Sequence, residues 1–83
     1  MFEWDTKKSQ QNEADRGFDF SIVEHFDFDT ALTILDDRKE YGETRFRSIG
    51  RIDGKLFSVT WTPRGQNIRI ISVRRAHEKE YRG

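Results

Sequence analysis

The chain has 83 residues, 34% hydrophobic and 36% charged, so its core must be thin, because small chains bury a smaller share of their surface. It has no cysteine, which excludes a disulfide framework and a thiolate zinc site, and no apolar run approaches the length of a spanning helix. The zero net charge divides into −7 over residues 1–43 and +7 over residues 44–83, which suits a polyanionic partner for the basic half or pairing of the two halves in the fold.

In chain order, Phe2, Glu3 and Trp4 suggest a short first strand. Asp5 or Thr6 can then cap a helix through KKSQQNEADR, and Gly17 can end it by entering the left-handed region that a helix terminus uses. Asp19 offers a second cap before FSIVEHF, where Phe20, Val23 and Phe26 recur at helical spacing and can lie on a sheet. TALTIL, rich in β-favouring residues, predicts a return to extended structure, and DDRKEYGE reads as a polar loop.

Residues 44–75 carry the most information. Asp53-Gly54 predicts a tight hairpin turn that fixes a register: Ile52 against Lys55, Gly50 against Phe57, Ser48 against Val59, Phe46 against Trp61. One side then gathers Phe46, Ile52, Phe57, Val59 and Trp61 as core. The other places Arg45, Arg47, Ile49 and Arg51 across from Thr62, Thr60, Ser58 and Leu56. The next turn, TPRGQN, is expected to form a four-residue loop through Gln66. It sets Ile68 and Ile70 beside Trp61 and Val59, and Arg69, Ile71, Val73 and Arg75 on the basic side. Arginines so close repel one another unless an anion, an acidic patch or wide spacing relieves them. A slip of one residue would undo this arrangement.

No helix-turn-helix, Walker loop, Gly-rich dinucleotide turn, zinc motif, nucleophile elbow or internal repeat is present. His25 and His77 lack a metal-ligand spacing, so neither metal nor cofactor is expected. The start MFEWDTKK has no signal-peptide h-region, and the absence of cysteine fits a reducing compartment; a cytoplasmic location away from membranes is expected.

A set of motifs then points to a family. FEWD at 2–5, Lys8, Asn12, the G-x-x-F of Gly17 and Phe20, YGE with Arg45 at 41–45, IGR at 49–51, DG at 53–54 and above all RIISVRRA at 69–76 resemble the BrnT toxins, small RelE-like bacterial ribonucleases. The resemblance covers nearly the whole chain, and so implies one toxin domain over residues 1–83. It implies an α+β fold in which two N-terminal helices pack on a mostly antiparallel sheet of about four strands, with a short C-terminal helix. It further implies a toxin that cleaves RNA and arrests translation. The expected partner is a BrnA-like antitoxin with a ribbon-helix-helix domain, joined to the toxin in a heterotetramer; operator DNA is met only through that antitoxin. Members commonly carry Lys-His just before the glycine, where this chain has Asp15 and Arg16.

RNA cleaves when its 2′-hydroxyl attacks the adjacent phosphate, so a protein need only orient the strand, stabilise the charged phosphorus and help protons move. Arginine suits this, because its fork donates paired hydrogen bonds to phosphate oxygens while staying charged. The candidate catalytic residues are Arg51, Arg69, Arg74 and Arg75, with Glu43 and His77 as proton-handling groups; Lys8, Arg45, Arg47 and Tyr81 are candidate RNA contacts. Glu43 can instead orient Arg45, Glu80 has the same ambiguity, and His77 can be an incidental surface group. The competing reading is a non-catalytic, basic-faced binder derived from a toxin, holding only an antitoxin or nucleic acid.

Overall fold

The computed structural model describes residues 1–82. Five strands form one sheet in the order β1-β5-β4-β3-β2, where β1 is Phe2–Trp4, β2 Leu32–Leu35, β3 Phe46–Ile52, β4 Lys55–Arg64 and β5 Asn67–Arg75. All neighbours are antiparallel except β1, which runs parallel to β5. Helix α1, Thr6–Arg16, follows β1, and the four-residue α2, Glu78–Tyr81, follows β5. The sheet therefore has five strands rather than about four. The second expected helix is a six-residue 3₁₀ segment, Phe20–His25, which ends where Phe26 turns extended; Phe20, Val23 and Phe26 recur every three residues, the spacing that a 3₁₀ helix stacks on one face. Among the described residues, no helix is long and apolar enough to cross a membrane.

The local signals act as their chemistry requires. The Asp5 carboxylate accepts from the Lys7 and Lys8 amides at the start of α1, and Gly17 ends it at φ 86°. Asp19 accepts from the Ser21 amide at the head of the 3₁₀ segment. Asp53 and Gly54 both take positive φ, 50° and 80°, and the β3–β4 ladder follows the expected register at every pair from Phe46 with Trp61 to Ile52 with Lys55.

The core lies on one face of the sheet. Ile52, Phe57, Val59, Ile70 and Val73 are covered by Phe20, Val23 and Phe26 from the 3₁₀ segment and its exit, with Phe2, Trp4, Phe18, Phe28 and Trp61 packed around them. Aromatic rings lock this layer edge to face, Phe18 on Phe57 at 5.2 Å and Phe26 on Phe28 at 4.7 Å between centroids. Gly50 is required where the chain crosses above it: an added Cβ would stand 3.0 Å from the Ala31 Cβ and the Phe26 ring.

The second hairpin departs from expectation. β4 runs on through Pro63 to Arg64, which pairs with Asn67 across a two-residue turn at Gly65-Gln66. The β3 ladder ends at Trp61, so Pro63 lies where β4 has only one neighbour and a missing donor is tolerated. Ile68 then pairs with Pro63 and Ile70 with Trp61, and the ladder is interrupted at Thr60/Trp61, where Ile71 is the extra residue before Ser72 pairs with Thr60. A bulge of this kind reverses the alternation beyond it. Val73 therefore enters the core opposite Val59, and Arg75 joins Phe57 on the core side instead of the basic side.

Candidate nucleic-acid interface

The second face of the sheet carries the cations. Directly paired residues share a face, so Arg47 with Thr60 and Ser72, Ile49 with Ser58 and Arg74, Arg51 with Leu56, and Thr62 with Arg69 and Glu3 all point away from the core. The central row of Ser58, Thr60 and Thr62 is buried. The expected basic, hydroxylated face is thus present, with Arg74 in the place expected for Arg75. The Arg75 guanidinium sits 5.3 Å from the Phe57 ring centre, and its Nε donates to the Leu56 carbonyl at 3.3 Å.

Two separate groups of cations stand on this face. In the first, Lys8 from α1, Glu43 and Arg45 from the segment before β3, Arg64 at the end of β4 and Arg69 on β5 line a pocket of about 170 Å³, together with Asp5 and Ile71. Glu43 bridges two of the arginines, 2.9 Å from Arg45 and 3.7 Å from Arg64. Glu3 accepts from Arg69 at 2.8 Å and from Asn67 at 3.0 Å. These hydrogen bonds, that of Asn67 first, hold the Glu3 carboxyl below the usual carboxylate range.

The second group lies at the other end of β4. Arg74 donates to both Glu80 oxygens, at 2.7 and 3.3 Å, and the His77 amide donates to Glu80 at 2.8 Å. Arg74 foremost, then the His77 amide, lowers the Glu80 carboxyl to about 2. Arg51 donates to the Gly54 carbonyl, lies 3.6 Å from Glu78 and 5.7 Å from the Tyr81 ring centre. The Tyr81 hydroxyl donates to the Thr30 carbonyl, tying α2 to the residues before β2. Ser58 and Thr62, the β4 partners of the two groups, are four residues apart, or about 13 Å at the rise of a strand. Between them lies Arg47, whose Nε is the one buried side-chain nitrogen or oxygen among the described residues without a hydrogen-bond partner.

The structure therefore brings Lys8, Glu43, Arg45 and Arg69 together, brings Arg51, Arg74 and Tyr81 together beside His77, and sets Arg75 on the opposite face. Reading from the sequence missed Arg64, because it placed this residue in the loop; the longer β4 delivers it to Glu43. Asp15 and Arg16 are engaged in the fold: Asp15 accepts from Gln11, and Arg16 donates to Asn12 and to the Val73 carbonyl at 2.9 Å. That carbonyl lies beyond the reach of β1, which pairs only with Ile68, Arg69 and Ile70. Among the described residues, no three His, Cys, Asp or Glu side chains are grouped to hold a metal.

A pocket lined by a lysine, three arginines and the carboxylates of Asp5 and Glu43 thus stands on the second face of a small mixed sheet in an α+β fold. Residues 4–80 match the model of the family described as "Ribonuclease toxin, BrnT, of type II toxin-antitoxin system", and the chain belongs to that family. A toxin of this type implies an antitoxin partner. Searches of curated proteins and of solved structures each returned no match.

Proposed function

We propose that this chain is a metal-independent endoribonuclease whose cleavage site is the pocket of Lys8, Glu43, Arg45, Arg64 and Arg69, and that it arrests translation by cutting RNA. The observation that carries this reading is that four cations from separate chain segments line one pocket together with the Glu43 carboxylate, which bridges two of them. In this pocket the Glu43 carboxylate takes the proton from the RNA 2′-hydroxyl. The freed oxygen attacks the adjacent phosphorus, and the bond to the departing 5′-oxygen breaks as Lys8 supplies its proton. The products are a 2′,3′-cyclic phosphate and a 5′-hydroxyl. Arg45, Arg64 and Arg69 stabilise the extra negative charge on the equatorial oxygens, where fixed charge acts most strongly. Arg51, Arg74 and Tyr81 hold the same strand further along the face, the tyrosine through base stacking. Arg75 is left out of the cleavage group because the bulge turns it away.

A second reading is favoured by one observation: nearly every cation in both groups already has a carboxylate from its own chain. On that reading the face only binds, and its partner is the antitoxin or a nucleic acid. The two part in one assay, incubation of the purified chain with total RNA in chelator. The nuclease reading expects cyclic-phosphate ends, and Glu43→Gln lowering the rate by about 100-fold, as loss of a general base does, with the melting temperature kept. Cleavage that needs added metal, or that survives Glu43→Gln, would sink it; intact RNA with retained RNA binding establishes the binder. The antitoxin is proposed to be BrnA-like, with a ribbon-helix-helix domain, in a heterotetramer that leaves the toxin cytoplasmic and touching operator DNA only through its partner.

A further inference from the structure

One edge of the sheet is open. Among the described residues, β2 pairs with β3 alone, and its outer side has no strand beside it. Exposed edges are ordinarily blunted by a charge, a proline or a bulge on the strand; Leu32-Thr33-Ile34-Leu35 has none, and Ile34 and Leu35 are 37% and 57% exposed. The surroundings are acidic, with six acidic and two basic side chains over residues 27–43. Both bases are already engaged, Arg38 by Asp36 at 2.7 Å and Lys39 over the Tyr41 ring at 5.4 Å. Asp37 and Glu40 have no ion-pair partner among the described residues. Beyond Leu35 opens a cavity of about 360 Å³, lined among others by Asp37, Glu40, Tyr41 and Glu43.

We propose that β2 and this cavity form a docking surface for an extended, cationic segment of the antitoxin, which adds as a sixth strand beside β2 and seats a lysine or arginine against Asp37 and Glu40. The unpaired edge supplies main-chain hydrogen bonds, the two apolar side chains supply contact area, and the carboxylates select the sign of the partner. The same carboxylates repel a nucleic acid. A second copy would set one net −4 segment against another. Glu43 and Arg45 line both this cavity and the cationic pocket, so a segment that fills the cavity stands at the mouth of the proposed cleavage site. The inference rests on family membership and not on catalysis, so RNA cleavage and docking can fail independently.

An NMR titration tests it, with the isotope-labelled full chain and two synthetic peptides of alternating sequence, Lys-Val repeats and Glu-Val repeats. The Lys-Val peptide is expected to shift the amides of Thr33, Ile34, Leu35, Asp37 and Glu40, and the Glu-Val peptide to leave them in place. Asp37→Lys with Glu40→Lys should weaken the effect by about tenfold while the remaining spectrum stays dispersed; Leu35→Asp, which keeps the acidic cavity, should weaken it as well. The proposal is overturned by absence of shifts at β2 at millimolar peptide, by an equal response to Glu-Val repeats, or by a peptide-free dimer that protects β2.

Discussion

Glu80 stands in α2 with the Arg74 guanidinium and the His77 amide turned toward its carboxylate. Glu80 receives two hydrogen bonds from Arg74 and one from the His77 amide, and its carboxyl is lowered to about 2. A group so depressed is a poor proton acceptor near neutrality, so it serves to fasten α2 to β5. The sign of its pH effect follows: a depressed folded value adds stability above the unfolded 4.5, and that stability is lost as pH falls from 4.5 toward 2. Glu80→Gln is expected to cost about 1 kcal/mol at neutral pH, since the pair is partly solvated, and to flatten the fall of melting temperature across that acid window. An unchanged acid limb would remove Glu80 from the account. Arg16 is a comparable case in which charge serves the backbone. Its donation to the Val73 carbonyl completes a strand edge that β1 does not reach, so Arg16→Ala should cost about 1 kcal/mol, measured by urea unfolding. Arg16→Lys, which keeps charge but loses the fork, is expected to recover only part of it.

At the scale of elements, the bulge at Ile71 decides which arginines meet. Were Ile71 paired with Thr60 in an unbroken ladder, Val73 would leave the core and Arg75 would join Arg51 on the basic face. Deletion of Ile71 takes out the skipped residue and leaves Ser72 opposite Thr60, Val73 opposite Val59 and Arg74 opposite Ser58, so cooperative thermal unfolding is expected to be kept, whereas Val73→Asp, which loses a burial of about 1.5–3 kcal/mol and places a charge in the core, is expected to abolish it. Loss of cooperative unfolding on that deletion would show that the bulge itself, beyond the register it leaves, is needed to hold the sheet. This is also where legibility in the sequence stops. The first hairpin was readable because Asp53-Gly54 permits one turn type and because apolar and basic residues alternate cleanly on both sides of it. The second was not, because Pro63 argued for a loop where the strand in fact continues as an edge, and because IRIISV offers apolar residues at both parities, so no pattern marks the one that is skipped. The same ambiguity hid Arg64 and misplaced Arg75. Helix α1 was legible from its cap and its glycine, while its packing was not: it buries Ser9 and Asn12, which serve as hydrogen-bond partners of the Phe20 amide and the Phe18 carbonyl rather than as an apolar stripe.

For the whole molecule, the two oppositely charged halves do not simply neutralise each other. The acidic half keeps an uncompensated patch around β2, and the basic half collects its arginines on the second face of the sheet, where Glu3 and Glu43 from the acidic half and Glu78 and Glu80 from the tail hold them in fixed positions. Such pairing leaves the guanidiniums oriented before any ligand arrives, at the cost that a phosphate must compete with carboxylates for the same donors. Salt therefore discriminates between a face that binds phosphate and one that is merely ion-paired. If the two cation groups each neutralise one phosphate of a single strand, the logarithm of the association constant should fall with the logarithm of salt at a slope of about −1.4, or roughly 25-fold for each tenfold rise in salt. Fluorescence anisotropy with a 2′-O-methyl oligonucleotide, which cannot be cleaved, measures this directly. Replacing Arg51 and Arg74 together by alanine should halve the slope while leaving the Lys8 pocket occupied, because each group acts on its own phosphate about 13 Å from the other. A slope near zero in the parent chain would mean that its own carboxylates outcompete RNA at every arginine, and the basic face would then be an internal ion-pair lattice instead of a binding surface.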